Sequence, residues 1–132
     1  MTRPDDLWAR AVKTFHSANL LAPTDPDSSA SRSYYAAFYA VFALFAVEGK
    51  AFKRHATLES AVHRDLVKTG RWTATLGSDY SFLRGARDTT DYGGSLHVVE
   101  DEVGESLQAA LRILEAAHKE NPETFPAEWK SK

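Results

Sequence analysis

The sequence contains no cysteine among its 132 residues, which excludes disulfides, thiolate metal sites and a cysteine nucleophile and permits a reducing compartment. It also lacks an apolar run of membrane-spanning length. The longest, Tyr34 to Val47, falls short of the roughly 20 residues that a bilayer requires, and Asp25, Asp27, Arg32, Glu48 and Lys50 flank it closely. The opening residues Met-Thr-Arg-Pro-Asp-Asp do not have the charged-then-apolar layout of a signal peptide, so a cytoplasmic protein without membrane association is expected. Strand alternation, internal repeats and low-complexity segments are missing as well. Neither charge sign dominates: 16 Lys and Arg against 18 Asp and Glu leave a net charge of −2, which argues against binding nucleic acid through a general positive field. His55, Glu59 and His63 follow one another at four-residue steps, but two histidines on adjacent helical turns, the strong metal spacing, do not occur. No metal and no cofactor are expected.

What the chain does have is helical periodicity throughout. Leu7, Trp8, Ala11, Phe15, Ala18 and Leu21 recur at three- and four-residue spacing and predict a helix from about Asp5 to Leu21. Pro23-Thr-Asp-Pro-Asp breaks it, with Asp25 placed to cap the next helix and Pro26 at its first position. That second helix ends near Gly49. It is apolar on nearly all sides, the pattern of a central bundle helix, with Ser31, Tyr35, Phe38, Phe42 and Phe45 expected on one core face. Leu58, Ala61, Val62, Leu66 and Val67 predict a short amphipathic helix stopped at Thr69-Gly70. A connector over Arg71 to Leu76 leads to a helix from about Ser78 toward Tyr92, ended by Gly93-Gly94. Val99, Val103, Leu107, Ala110, Leu111, Leu114 and Ala117 mark the last helix, from about Ser95 to Lys119, which Asn121-Pro122 stops. The tail with Phe125, Pro126 and Trp129 is either frayed or docked in a groove. The expected fold is all-α, about five helices in one domain spanning residues 1–132, with a core of about 5–119 and a tail of 120–132.

Charge is unevenly spread. Lys50, Lys53, Arg54, Arg64, Lys68, Arg71, Arg84 and Arg87 face only Glu59, Asp65 and Asp79 in the middle third. Asp88, Asp91, Glu100, Asp101, Glu102 and Glu105 then reverse the balance. Arg84 and Arg87 lie three apart on one helical face and could together hold a phosphate or carboxylate; the structural alternative pairs them with Asp88, Asp91 or acids of the last helix. Arg32 either lines the same cleft or pairs with Asp91. A buried Tyr35 hydroxyl needs a partner, for which Asp91 and Arg87 are the candidates. His55 follows Lys53-Arg54 at the mouth of the third helix and is the best-placed acid–base histidine, with local hydrogen bonding as its structural alternative.

Four ordered segments, Ser31-Arg-Ser-Tyr-Tyr-Ala-Ala-Phe38, Lys53-Arg-His55, Leu66-Val-Lys-Thr-Gly70 and Arg87-Asp-Thr-Thr-Asp-Tyr-Gly93, resemble the signature of HEPN-domain proteins. More narrowly, they resemble the small stand-alone kind paired with a minimal nucleotidyltransferase. The resemblance implies an antiparallel helical bundle that forms homodimers, with toxin–antitoxin or RNA-cleaving roles and RNA or a nucleotide as ligand. In nuclease relatives an arginine is followed after four to six residues by histidine, and the two copies of a dimer make one composite, metal-independent site. Here Arg87 matches the arginine, but Tyr92 stands where histidine is expected, and His97 falls beyond the window. A phenol with an ordinary pKa of about 10 is a poor base at neutral pH. The resemblance therefore implies a dimeric binding module with an arginine-lined cleft formed by Arg32, Tyr35, Arg84, Arg87 and Asp91. In it, Tyr92 offers a phenol that a nucleotidyltransferase antitoxin could modify. The alternative is an endoribonuclease toxin using Arg87 with Tyr92 or His55.

Overall fold

A computed structural model covers the backbone of residues 3–92 and 100–130 and the side chains of residues 3–88 and 101–129. Proline sets the first two helix starts. Pro4 opens α1 (Pro4–Leu21) ahead of Asp5 and Asp6, whose charges favour a helix N-terminus; α1 buries Leu7, Trp8, Ala11, Val12, Phe15 and Ala18. A tight turn follows, and Asp25 caps α2 (Pro26–Val47) by accepting from the Ser28 amide at 3.2 Å and from its hydroxyl at 2.7 Å. The Ser29 hydroxyl donates to the Ala18 carbonyl at 2.7 Å and ties the two helices where they diverge.

α2 is the central element and touches α1, α4 (Ala74–Tyr92) and α5 (Glu100–Glu120). Small residues let its neighbours come close: Ala30, Ala36, Ala37, Ala40 and Ala43 are fully buried alongside Tyr34, Val41 and Phe45. The fully covered side of α2 therefore includes Phe45, as periodicity led one to expect, but not the rest of the expected face. Tyr35, Phe38, Tyr39 and Phe42 pack on the rim of the core and stay half-buried, because the alanine face takes the close helix contacts. Gly49 ends α2 in the left-handed region (φ 79°).

α3 (His55–Ala61) runs into a π-helical turn, Val62–Val67, which Gly70 closes at φ 86°. The π turn rests on α4 at Gly77, where a Cβ would lie 2.8 Å from the Val67 Cγ2 and 3.2 Å from the His63 ring. The preceding connector is shorter than its sequence suggests, since the Thr73 hydroxyl accepts from the Leu76 amide at 3.2 Å and starts α4 at Ala74 rather than near Ser78. The predicted stop at Gly93-Gly94 and the first residues of the last helix lie outside the described residues.

The C-terminal tail is docked. Phe125 is fully buried 5.0 Å from the Trp8 ring, and the Trp8 indole donates to the Pro126 carbonyl at 2.9 Å. His118 holds the tail through Nδ1, which donates to the Phe125 carbonyl at 2.7 Å. Together the five helices make an all-α bundle without strands among the described residues.

Two glycines in helix interiors should respond with opposite signs to alanine. Gly104→Ala, with nothing within 4 Å of the added methyl, should stabilise by about 0.8–1 kcal/mol through helix propensity. Gly77→Ala should destabilise by about 1–2 kcal/mol, because overpacking against Val67 and His63 outweighs that gain. Urea unfolding checks both; a stabilised Gly77→Ala would contradict the close packing of the π turn.

Candidate functional site

The polar groups of the basic middle third converge where α2, α3 and α4 meet. α2 supplies Tyr34 and Tyr35, the first residue of α3 is His55, and the C-terminal half of α4 carries Arg84, Arg87 and Asp88. Tyr34 is fully buried, and its hydroxyl lies 2.6 Å from the His55 Nδ1. The imidazole stacks on Phe38 with ring centres 4.5 Å apart and remains half-exposed. Arg87 is only 9% exposed. Its guanidinium lies over both tyrosine rings, at 5.7 Å from Tyr34 and 5.5 Å from Tyr35, and donates to the Tyr35 hydroxyl at 3.0 Å and to Asp88 at 3.2 Å. The contact anticipated for Tyr35 is thus made with Arg87.

Arg84 reaches the other way. It donates to the Glu59 carboxylate at 2.7 Å, the second Glu59 oxygen accepts from the Ser81 hydroxyl at 2.7 Å, and Ser81 also lies 2.9 Å from the His63 Nε2. This chain clamps α3 to α4 and fixes where His55 emerges. Its members are half-buried or exposed, so each link contributes modestly on its own.

The surroundings set the protonation states. Burial pushes the Tyr34 phenol up to about 12, against the smaller opposing pulls of a hydrogen bond with Tyr80 and of the nearby arginines, so it keeps its proton. His55 is held below its ordinary value of 6.5, by burial first and then by the positive charges of Arg87 and Arg84, which outweigh Asp88. The imidazole is neutral at neutral pH.

Of the residues singled out from sequence, Tyr35, His55, Arg84 and Arg87 come together here. Arg32 is exposed and has no ion-pair partner among the described residues. The side chains of Asp91 and Tyr92 lie outside the described residues, as does His97. Tyr34 and Glu59 were not anticipated. Tyr34 reads as one more aromatic in an apolar run, and only the pairing with a histidine twenty-one positions away, invisible in local spacing, gives it a role. Among the described residues no group of His, Asp or Glu could hold a metal ion. The open groove of about 950 Å³ between α4 and α5 is lined by Asp79, Asp101, Glu105 and Arg112; Arg112 is engaged by Asp79, which leaves the acids Asp101 and Glu105 and disfavours phosphate.

Comparison with known proteins bears on the same span. A family model for the HEPN domain matches residues 5–121. A UPF0332 protein of Thermotoga maritima is 34% identical over 116 residues, which cover 86% of this chain and 88% of that protein.

The depressed histidine has a measurable signature. The imidazole resonances of His55 should titrate with a midpoint below 6.5, and Arg84→Gln should raise it by removing a nearby positive charge. Because the unfolded chain takes up this proton at higher pH than the native state does, His55 contributes a loss of stability as pH falls below about 6.5 and nothing above it. Nuclear magnetic resonance titration reads the midpoint; a value at or above 6.5 would contradict the electrostatics described.

Proposed function

Since the chain belongs to the HEPN domain family, we propose that it is a dimeric HEPN binding module that holds the phosphate of RNA or a nucleotide at the Arg84–Arg87–His55 cluster. In this reading it acts with a nucleotidyltransferase partner as the HEPN component of a toxin–antitoxin or defence system. The observation that carries the proposal is a neutral, half-exposed imidazole that feels the positive charge of both Arg87 and Arg84 and stacks on Phe38 beside the Arg87-bound Tyr35. Arginine presents a fixed fork of donors suited to phosphate oxygens, and Lys53 and Arg54, both exposed, precede His55 in the chain and extend the positive field. The half-buried aromatic edge of α2, from Tyr35 through Phe38 and Tyr39 to Phe42, starts at the same cluster and offers a second copy apolar area to cover.

The second reading is a metal-independent endoribonuclease, favoured by one specific observation: His55 is neutral near pH 7, the state a general base needs. Arg87 is a poor residue with which to separate the two. It is nearly buried and bonded to the half-buried Tyr35, so Arg87→Ala also removes a structural hydrogen bond and costs about 1 kcal/mol of folding stability.

Exposed cations give a cleaner test. The double variant Lys53→Gln, Arg54→Gln should keep the melting temperature, weaken binding of a single-stranded oligoribonucleotide, and lower the slope of log affinity against log salt by about 0.7 per residue removed. An unchanged slope would move the RNA path away from this face.

Tyr92 is the candidate acceptor for nucleotidyl transfer from the partner enzyme. Mass spectrometry of the protein co-expressed with a minimal nucleotidyltransferase should detect an added nucleotide that Tyr92→Phe abolishes. An adduct surviving that substitution assigns the acceptor to another residue.

A further inference from the structure

The Tyr34–His55 contact decides which proton the imidazole offers. The phenol is fully buried and keeps its hydrogen, so that hydrogen needs an acceptor. The neighbouring Tyr80 hydroxyl acts on Tyr34 as a donor, so the acceptor left for the Tyr34 hydrogen is the His55 Nδ1, at 2.6 Å. Were Nδ1 protonated, two hydrogens would meet across that short distance, or the phenol would turn its hydrogen to Tyr80, whose own hydrogen would then be buried without an acceptor at a cost of about 1–3 kcal/mol. Nδ1 therefore accepts. A neutral imidazole that accepts at Nδ1 carries its one hydrogen on Nε2, and Nε2 has no hydrogen-bond partner among the described residues. Stacking on Phe38 holds the ring plane, so the free N–H has a fixed direction.

We propose that Tyr34 is a positioning residue that fixes His55 as a hydrogen-bond donor, making the cluster a receptor for an oxyanion such as a phosphate monoester. The proposal rests on the reading of the cluster as a phosphate site and names the part His55 plays in it. Around the ring, Arg87 and Arg84 of α4 supply positive charge, the latter paired with Glu59 of α3, Asp88 of α4 supplies opposing negative charge, and Tyr34 and Tyr35 of α2 pack their rings against it. An N–H directed into such a setting complements a phosphate oxygen. The same nitrogen cannot withdraw a proton from a ribose hydroxyl, because it is already protonated. Base catalysis by His55 would need the other tautomer and a new acceptor for the Tyr34 hydrogen.

The tautomer is directly observable in imidazole nitrogen resonances at about pH 8, where the ring is neutral. The wild-type protein should show His55 protonated on Nε2; protonation on Nδ1 overturns the proposal. Tyr34→Phe, which keeps the ring and removes only the hydroxyl, should mix the tautomers while circular dichroism shows the helices intact. An unchanged tautomer in that variant also overturns it. Binding of adenosine 5′-monophosphate then tests the donor role. His55→Gln, whose amide still offers an N–H, should bind within about twofold of wild type, and His55→Ala about tenfold more weakly, as loss of one hydrogen bond implies. Equal losses in both variants overturn the donor assignment. Unchanged binding in both, with the Nε2 tautomer present, overturns instead the placing of the phosphate at this cluster.

Discussion

A helix covered on almost every side has to pair whatever polar groups it carries inward, and the organisation of this protein follows from how α2 meets that demand. Ser29 hands its hydrogen to α1. Tyr34, three turns from the helix start at most and fully buried, hands its own to α3 through His55, and Tyr35 accepts from Arg87 on α4. One end of the central helix is thus stitched to its neighbours by hydrogen bonds rather than by apolar packing. Each such bond contributes only about 1 kcal/mol net, but leaving one of these groups unpaired costs more, so the stitching specifies the arrangement of helices more than it adds to their stability. The Ser33 hydroxyl, buried without a partner among the described residues, shows that the pairing is incomplete.

The same stitching creates the chemistry. Arg87 is drawn into the bundle by two aromatic faces and a phenol, and its charge, with that of Arg84, suppresses protonation of His55. The Glu59–Ser81–His63 chain keeps that histidine in register by holding α3 against α4. The π turn and Gly77 belong to this arrangement as well. They bring His63 close enough to α4 to end the chain.

The fold was legible in the sequence because its signals are local: Pro4, Pro26, Asp25, Gly49 and Gly70 act through the backbone positions they occupy. The π turn was not, since Leu58 through Val67 keep an acceptable helical stripe while one extra residue is accommodated per turn. The buried face of α2 was misread for a related reason. In a helix apolar all round, the large aromatics Phe38 and Phe42 mark a face no better than the alanines do, and close packing selected the alanines. In the candidate site, Arg84, Arg87, Tyr35 and His55 stood out by charge or ionisability. Tyr34 did not, because its function depends on a partner brought near only by the fold.

The central claim is that this cluster of two arginines and one neutral histidine is where a phosphate binds. A crystal structure of the protein with adenosine 5′-monophosphate tests it most directly. The account predicts a phosphate oxygen within hydrogen-bonding distance of the His55 Nε2 and close to the Arg84 or Arg87 guanidinium. A nucleotide seated in the groove between α4 and α5, or against any other face with this cluster empty, would contradict it.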